Sequence, residues 1–285
     1  MPEPGQHPGK TGIHPMALVD PRASLGRGVQ IGPWCVVGPD VRLGDNVRLH
    51  ASVMIDGQTV LEEGVEVYPF STVGYPPQDL KYAGEPTRCH VGARTVVREN
   101  VTIHRGTAQG TGETRIGRDC LLMANAHVAH DCVVGDGVII VNNVVMGGHV
   151  MIGDHARIMG SAALHQFVRI GRGAVVGGLC GVEMDVIPYG SVLGNRARLV
   201  GLNWIGLKRS GVDASEIQQM RLAFRELYPR SSKGEALLGE RMEQVRQRYG
   251  HVGRVAEMLR FMEEPSRRGL TRPVLGAAFE KDVEG

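Results

Sequence analysis

From Ile13 onward a large aliphatic residue falls at every sixth position, through Val19, Leu25, Ile31, Val37, Leu43, Leu49, Ile55, Leu61 and Val67 to Val73. Four places after each comes a small or β-branched residue: Ala17, Ala23, Val29, Cys35, Val41, Val47, Val53, Thr59, Val65 and Ser71. A helix repeats its apolar face about every 3.6 residues and a half-buried strand about every two, so neither keeps this count. Short strands on a wound coil do. The period is that of a parallel β-helix, in which each flat face is one hexapeptide and three faces close one coil. Residues eighteen apart then stack at the roughly 4.8 Å spacing of neighbouring strands.

The period is interrupted twice, over residues 78–90 and 108–115, and then holds without a slip from Ile116 to Val182. Counting hexapeptides in threes puts those starting at Val73, Ile103, Val128, Met146 and Leu164 on one face, so both insertions leave the coil at one corner. The same count stacks His130 under Gly148 and Asp131 under His149, with Gln166 one coil further along the first column. Past Pro188 the texture changes. An Asp-x-x-Glu start at Asp213, with Ile217, Met220, Phe224 and Leu227 at helical spacing, predicts a helix over 213–228. Two more are expected over 233–249 and 252–263. The expected organisation is a disordered tail (1–12), a β-helix domain (13–195), an α-helical domain (196–272) and a loose tail (273–285).

Composition agrees with thin, tightly wound coils: forty glycines stand against five Phe, six Tyr and two Trp. Four of the five cysteines occupy the small-residue place of a hexapeptide, where a thiol is a compact hydrophobe. Their odd number and the lack of a Cys-x-x-Cys pair argue against a disulfide framework or a zinc knuckle. No apolar run is long enough for a membrane span, and the start Met-Pro-Glu-Pro-Gly lacks the features of a signal peptide, so a cytoplasmic protein is expected. Residues 190–272 hold sixteen Lys and Arg against nine Asp and Glu. That excess invites an acidic partner. Nucleic acid is not indicated, because no aromatic interleaving or binding motif accompanies the charge.

The chemistry concentrates at the corner with the insertions. His104, His130, His149 and His165 lie on the one face in successive coils, and His127 precedes the corner. Any one of them alone reads as a turn or surface residue; five beside two loops do not. A general base is one reading: an imidazole takes a proton from a hydroxyl, Asp131 or another carboxylate holds its tautomer, and the Gly148 N–H receives an oxyanion. Adjacent residues on a strand point apart, so a His130–Asp131 pair requires a turn. The other reading is zinc, held by three histidines with an open fourth position, as in a β-helix hydratase. Spacing alone leaves both open.

Five segments then narrow the choice: Asn125–Cys132, Val101–Thr107, Gln78–Thr87, Ala163–Phe167 and Gly206–Arg209. In order and over almost the whole chain, they resemble the bacterial UDP-N-acetylglucosamine O-acyltransferases, which carry out the first step of lipid A synthesis. The resemblance implies a left-handed parallel β-helix, a homotrimer with sites between subunits, and transfer of a 3-hydroxyacyl group from acyl carrier protein to the glucosamine 3-hydroxyl, without metal or other cofactor. It implies that His130 is the base, Asp131 its supporting carboxylate and Gly148 the oxyanion donor. Asp79, His127, His149 and Gln166 match sugar-holding positions. Gln78, Lys81, His104 and His165 match residues that support substrate binding or activity, while Asn203 and Arg209 match contacts to the nucleotide or the pantetheine arm. The basic helices would meet the acidic carrier.

Two positions depart from the family pattern: Arg196 where a histidine is common, and Ile205 where an acidic residue is common. Arg196 could add a charge-assisted contact to phosphate. These departures keep a related enzyme that acylates an amino-sugar nucleotide on nitrogen as the alternative. Val175 and Gly178 match the far end of the acyl groove, and a glycine there points to a longer chain.

Overall fold

A computed structural model describes residues 11–229 and 237–273. Its strands form three sheets of eleven, nine and eight strands, the three faces of a coil. Apart from one closing antiparallel strand, pairing is parallel along all three faces, with Leu122 beside Ile140, Val128 beside Met146 and Val134 beside Ile152. Most strands are two residues long. A pair so short has little stability by itself; the ladder is stable because each strand has neighbours above and below and puts one aliphatic side chain inside. Leu49, Ile55, Leu61, Ile103, Ile116, Leu122, Ile140 and Ile158 are fully enclosed there. All five cysteines are free and buried, including Cys89, which lies between Thr59 and Thr114 in the small-residue column.

The corners turn sharply, and many put a residue in the left-handed region without using glycine. Trp34, Asn46, Asn100, Asp131, His149 and Phe167 all have φ between 57° and 69°. Asparagine and aspartate tolerate this conformation, but a bulky Phe or Trp is disfavoured there.

Both insertions leave between the second and third faces. The first follows strand Thr72–Tyr75 and the second follows Thr102–His104. In register, Val73 pairs with Ile103, Ile103 with Val128, Val128 with Met146 and Met146 with Leu164. The strands resume earlier than the hydrophobic pattern does, at Arg88 and Glu113, because the four-residue strands Gln58–Leu61, Arg88–Val91 and Glu113–Ile116 need only backbone groups to pair.

At the N-terminus Gly12 already pairs with Gln30, so the strand starts inside the expected tail; the rest of that tail, residues 1–10, lies outside the described residues, as does 274–285. At the other end the sheet runs past residue 195. Strand Gly190–Leu193 turns at Gly194 (φ 103°) into Arg198–Leu202, which pairs back antiparallel. Four helices follow: α1 (Trp204–Arg209), α2 (Ala214–Leu227), α3 (Leu238–Tyr249) and α4 (Gly253–Glu263). Helix α1 lies in a stretch where the hydrophobic spacing predicts no helix; the Asn203 side chain caps it by accepting the Gly206 N–H at 2.9 Å. Asp213 caps α2 through the Ser215 N–H, but Glu216 does not complete a capping box and pairs with Arg254 at 2.9 Å. The start of the expected 233–249 helix lies outside the described residues up to 236.

Ion pairs join helices to coil. Arg169 binds the buried Asp185 at 2.7 Å and Glu264 at 2.8 Å, and Arg172 binds Glu257 at 3.0 Å. No helix among the described residues is long and apolar enough to cross a membrane. Truncating the core by Ile140→Ala is expected to cost about 2–5 kcal/mol in urea unfolding. Ile205→Ala, on an exposed side chain, is expected to cost under about 0.5 kcal/mol.

Candidate active site

The corner between the second and third faces turns through His130 and Asp131 after strand His127–Val128. Asp131 has φ 58°, and this turn brings the two neighbouring side chains together as a strand would not. His130 Nδ1 lies 2.8 Å from Asp131 Oδ2. The Asp131 side chain is 0% exposed, so its charge must be met by protein donors. The second insertion supplies them. Thr107 donates its hydroxyl to Oδ2 at 2.7 Å, Thr111 donates its N–H to Oδ1 at 2.9 Å, and the Thr107 N–H and Thr111 hydroxyl add further contacts. Gly110 is required where the loop crosses the carboxylate, since a Cβ there would sit 2.3 Å from Asp131 Cγ. Burial alone would raise this carboxyl, but the hydrogen bonds from Thr107 and His130 hold it below the ordinary aspartate value.

An ionised carboxylate only accepts hydrogen bonds, so the shared proton sits on His130 Nδ1 and leaves the Nε2 lone pair free. The ring lies against Gly148, where a Cβ would come within 2.7 Å of Nε2. Among the described residues the Gly148 N–H has no acceptor, whereas the next N–H, of His149, is bound by the His130 carbonyl at 3.0 Å. A proton acceptor and an unused backbone donor therefore share one small space.

The other histidines frame it. The His149 ring stands edge-on to His130, with centroids 5.2 Å apart, and stacks on Phe167 at 4.5 Å. His104 and His127 meet edge-on at 4.9 Å, and His127 Nδ1 is 2.7 Å from the Thr102 hydroxyl. Burial, then the neighbouring His127 and His130, push His104 down to about 4, and burial likewise lowers His127. Burial also lowers His149, with Asp131 opposing. These three rings are consequently neutral at neutral pH and serve as polar walls.

One coil further, His165 and Gln166 are exposed, with His165 Nδ1 3.1 Å from the Gln166 carbonyl. On the first insertion Gln78 and Lys81 are exposed, and Asp79 accepts the Lys81 N–H at 3.0 Å. Arg105 anchors that insertion through the Tyr82 hydroxyl at 2.9 Å and the Gly74 carbonyl at 3.3 Å.

Not every candidate is here. Val175 lies on the first-face strand Val175–Val176 and Gly178 at the turn that follows, between the first and second faces, a different corner, where a Cβ on Gly178 would meet only the Gly160 carbonyl at 3.4 Å. Asn203 donates to the Gly173 carbonyl at 3.0 Å while capping α1, and Lys208 and Arg209 are exposed at the end of that helix. Arg196 is exposed between the two closing strands and Ile205 is exposed on α1. The residues that the hexapeptide count passed over are Thr107, Gly110 and Thr111; their only signal was a Thr- and Gly-rich insertion beside a histidine corner.

His130, Asp131 and His149 place ligand atoms within 4.8 Å of one another, which invites a metal. They fit one poorly. Both Asp131 oxygens are already taken by threonine donors, and His130 Nδ1 carries a proton directed at Asp131, so binding would dismantle the cage.

The cage makes a prediction. Thr107→Val leaves a buried charge one donor short and is expected to cost about 1–3 kcal/mol. Because the folded carboxyl titrates below its unfolded value near 3.9, its contribution is present above that pH and fades as pH falls through the folded value. Acid unfolding followed by circular dichroism should therefore begin at a higher pH in Thr107→Val than in the parent.

Comparison with known proteins follows the same lines. Residues 185–271 match the family model for UDP-N-acetylglucosamine O-acyltransferase domain 2, and residues 22–57 and 113–148 match the bacterial transferase hexapeptide model. The acyl-[acyl-carrier-protein]–UDP-N-acetylglucosamine O-acyltransferase of Rhizobium johnstonii is 43% identical over 264 residues, covering 93% of this chain and 96% of that protein. The protein of the same name from an Anaeromyxobacter species is 47% identical over 260 residues, covering 91% and 99%. A crystal structure of UDP-N-acetylglucosamine acyltransferase superposes with a TM-score of 0.87 at 36% identity, covering 92% of this chain and 99% of that one. The Campylobacter jejuni acyltransferase gives 0.85 at 32% identity, covering 92% and 100%. With a left-handed parallel β-helix, the family's own helical domain and relatives this similar from end to end, the chain belongs to the UDP-N-acetylglucosamine O-acyltransferase family.

Proposed function

We propose that this protein transfers a 3-hydroxyacyl group from acyl carrier protein to the glucosamine 3-hydroxyl of UDP-N-acetylglucosamine, the first step of lipid A biosynthesis. The observation that carries the mechanism is the His130 ring lying against Gly148, whose N–H is unused among the described residues, with Asp131 hydrogen-bonded to the ring's other nitrogen. His130 Nε2 removes the proton as the sugar oxygen attacks the thioester carbonyl. Asp131 steadies the imidazolium, and the tetrahedral oxyanion accepts the Gly148 N–H. Collapse re-forms the carbonyl as an ester and expels the pantetheine thiolate, which takes the proton back from His130. The thioester is already activated and the proton returns to the leaving group, so no metal or other cofactor is required.

Base catalysis of this kind contributes about 10²–10⁴ in rate, and one oxyanion donor about 10²–10³. In this scheme Asp79, His127, His149 and Gln166 hold the sugar, while Gln78, Lys81, His104 and His165 support its binding. Asn203 and Arg209 lie toward the nucleotide or pantetheine, Arg196 serves an incoming phosphate, and the exposed Lys208 and Arg209 favour an acidic carrier. The acyl chain runs toward Val175 and Gly178, which leave its far end open to a longer chain. The relatives carry O-acyltransferase names, which favours the oxygen acceptor over an amino sugar.

Because His130 and Gly178 occupy different corners of the β-helix, with Val175 on the strand before Gly178, the proposed site needs two chains. A homotrimer with sites between subunits meets that need. It would also cover Trp34, Phe70 and Leu179 on the corner of Gly178 and Leu80 on the first insertion, all of which are exposed apolar residues. Both substrates occur in the cytoplasm, and the enzyme is assigned there with them.

Purified protein given UDP-N-acetylglucosamine and carriers loaded with 3-hydroxyacyl chains of graded length should add one acyl group, read by mass spectrometry, with the longer chains preferred. His130→Ala is expected to lower turnover about 10²–10⁴-fold while the fold is kept. Gly148→Ala should lower it comparably, as its Cβ displaces the His130 ring. Unimpaired turnover in His130→Ala would remove that residue from the role. The shared site has its own test: His130→Ala and Arg209→Ala chains, each impaired alone, should regain activity when co-assembled. Mixed oligomers no better than the separate variants would mean that each site lies within one chain.

A further inference from the structure

The segment after α4 returns to the histidine corner and is fastened there. Leu270 bridges to Asp185, the Gly269 carbonyl accepts the Asp185 N–H at 2.8 Å, and the Thr271 N–H donates to the Asp185 carbonyl at 2.8 Å. Arg268 Nε donates to the Glu183 carbonyl at 2.9 Å, and the Ser266 hydroxyl accepts the N–H groups of Arg268 and Gly269. Asp185 itself is buried against Arg169. Between these anchors stands Arg267, its guanidinium carbon 4.6 Å from the centre of the Phe167 ring. Phe167 stacks on His149, and His149 abuts His130.

Arg267 is exposed and has no carboxylate partner among the described residues. Other arginines of the coil are occupied: Arg105 by Asp56 and Tyr82, Arg169 by Asp185 and Glu264, Arg115 by Glu113. A guanidinium laid on an aromatic face keeps its edge donors outward, and that edge matches the oxygens of a phosphate. Its charge is felt at the corner as well: His149 is lowered first by burial, and Arg267 adds to the lowering against Asp131 and Asp79.

We propose that Arg267 is a phosphate-binding residue of this site, its place set by the Phe167 ring and the fastened C-terminal segment. It would receive the diphosphate of the sugar nucleotide or the phosphodiester of the carrier's pantetheine arm, and so draw the reacting group toward His130. This rests on the acyl-transfer reading above.

Arg267→Ala and Arg267→Lys, each checked for native circular dichroism, would be assayed with either substrate varied. Removing one charge-assisted hydrogen bond should raise a KM by roughly tenfold to a hundredfold, mainly in KM, with lysine restoring part of the loss. A rise for UDP-N-acetylglucosamine identifies the diphosphate, and a rise for the acyl carrier identifies the pantetheine phosphate. Calorimetry adds a readout independent of turnover: if the diphosphate is the ligand, the parent binds uridine diphosphate more tightly than uridine and Arg267→Ala narrows that difference. If the parent turns over and neither KM moves in Arg267→Ala, the phosphate role is wrong. If the parent fails to turn over UDP-N-acetylglucosamine, the acyl-transfer reading fails, and a uridine diphosphate preference insensitive to Arg267 then removes the nucleotide role too.

Discussion

Everything in this molecule depends on stacking coils of equal length. Each two-residue strand takes its hydrogen bonds from the coils above and below, and each aliphatic side chain packs on the one eighteen residues away. A single added residue in a coil would move every later side chain off its column. Up to Val182 the chain departs from the count only where the excess is looped outside the stack, and it does so twice, at the same corner; the closing coil is two residues shorter, Val176 pairing with Val192. The rigidity that forbids insertions elsewhere makes this corner the one place where extra side chains converge on a fixed frame.

The site uses that frame to carry electrostatic costs that a loop alone could not. Burying Asp131 as an anion is unfavourable until Thr107 and Thr111 close over it. The left-handed turn at Phe167 is a disfavoured backbone state, and the parallel ladder on both sides holds it. The result is a histidine with one nitrogen committed and one free, opposite a glycine whose N–H is unused. The histidines around it, lowered by burial, supply polarity without adding charge beside the His130–Asp131 pair.

A three-sided coil also limits what one chain can do. Its faces look outward in three directions, so residues on different corners do not meet without another chain. The histidine corner and the Gly178 corner are separated in this way.

Much of this was legible in the residues themselves. The six-residue count determined the coil, its three faces, the corner of the insertions and the stacking of His130 under Gly148, because a periodic scaffold converts sequence separation directly into height. The spacing of Ile217, Met220, Phe224 and Leu227 likewise determined α2. The count could not reach the features that depend on contacts between parts lacking a common period. Thr107 and Thr111 reach Asp131 only through the path of an irregular loop, Arg267 reaches Phe167 only because the chain returns from α4, and α1 follows from an Asn203 cap. Those were decided by tertiary structure, since hydrogen bonding and burial between distant segments leave no periodic trace in the sequence.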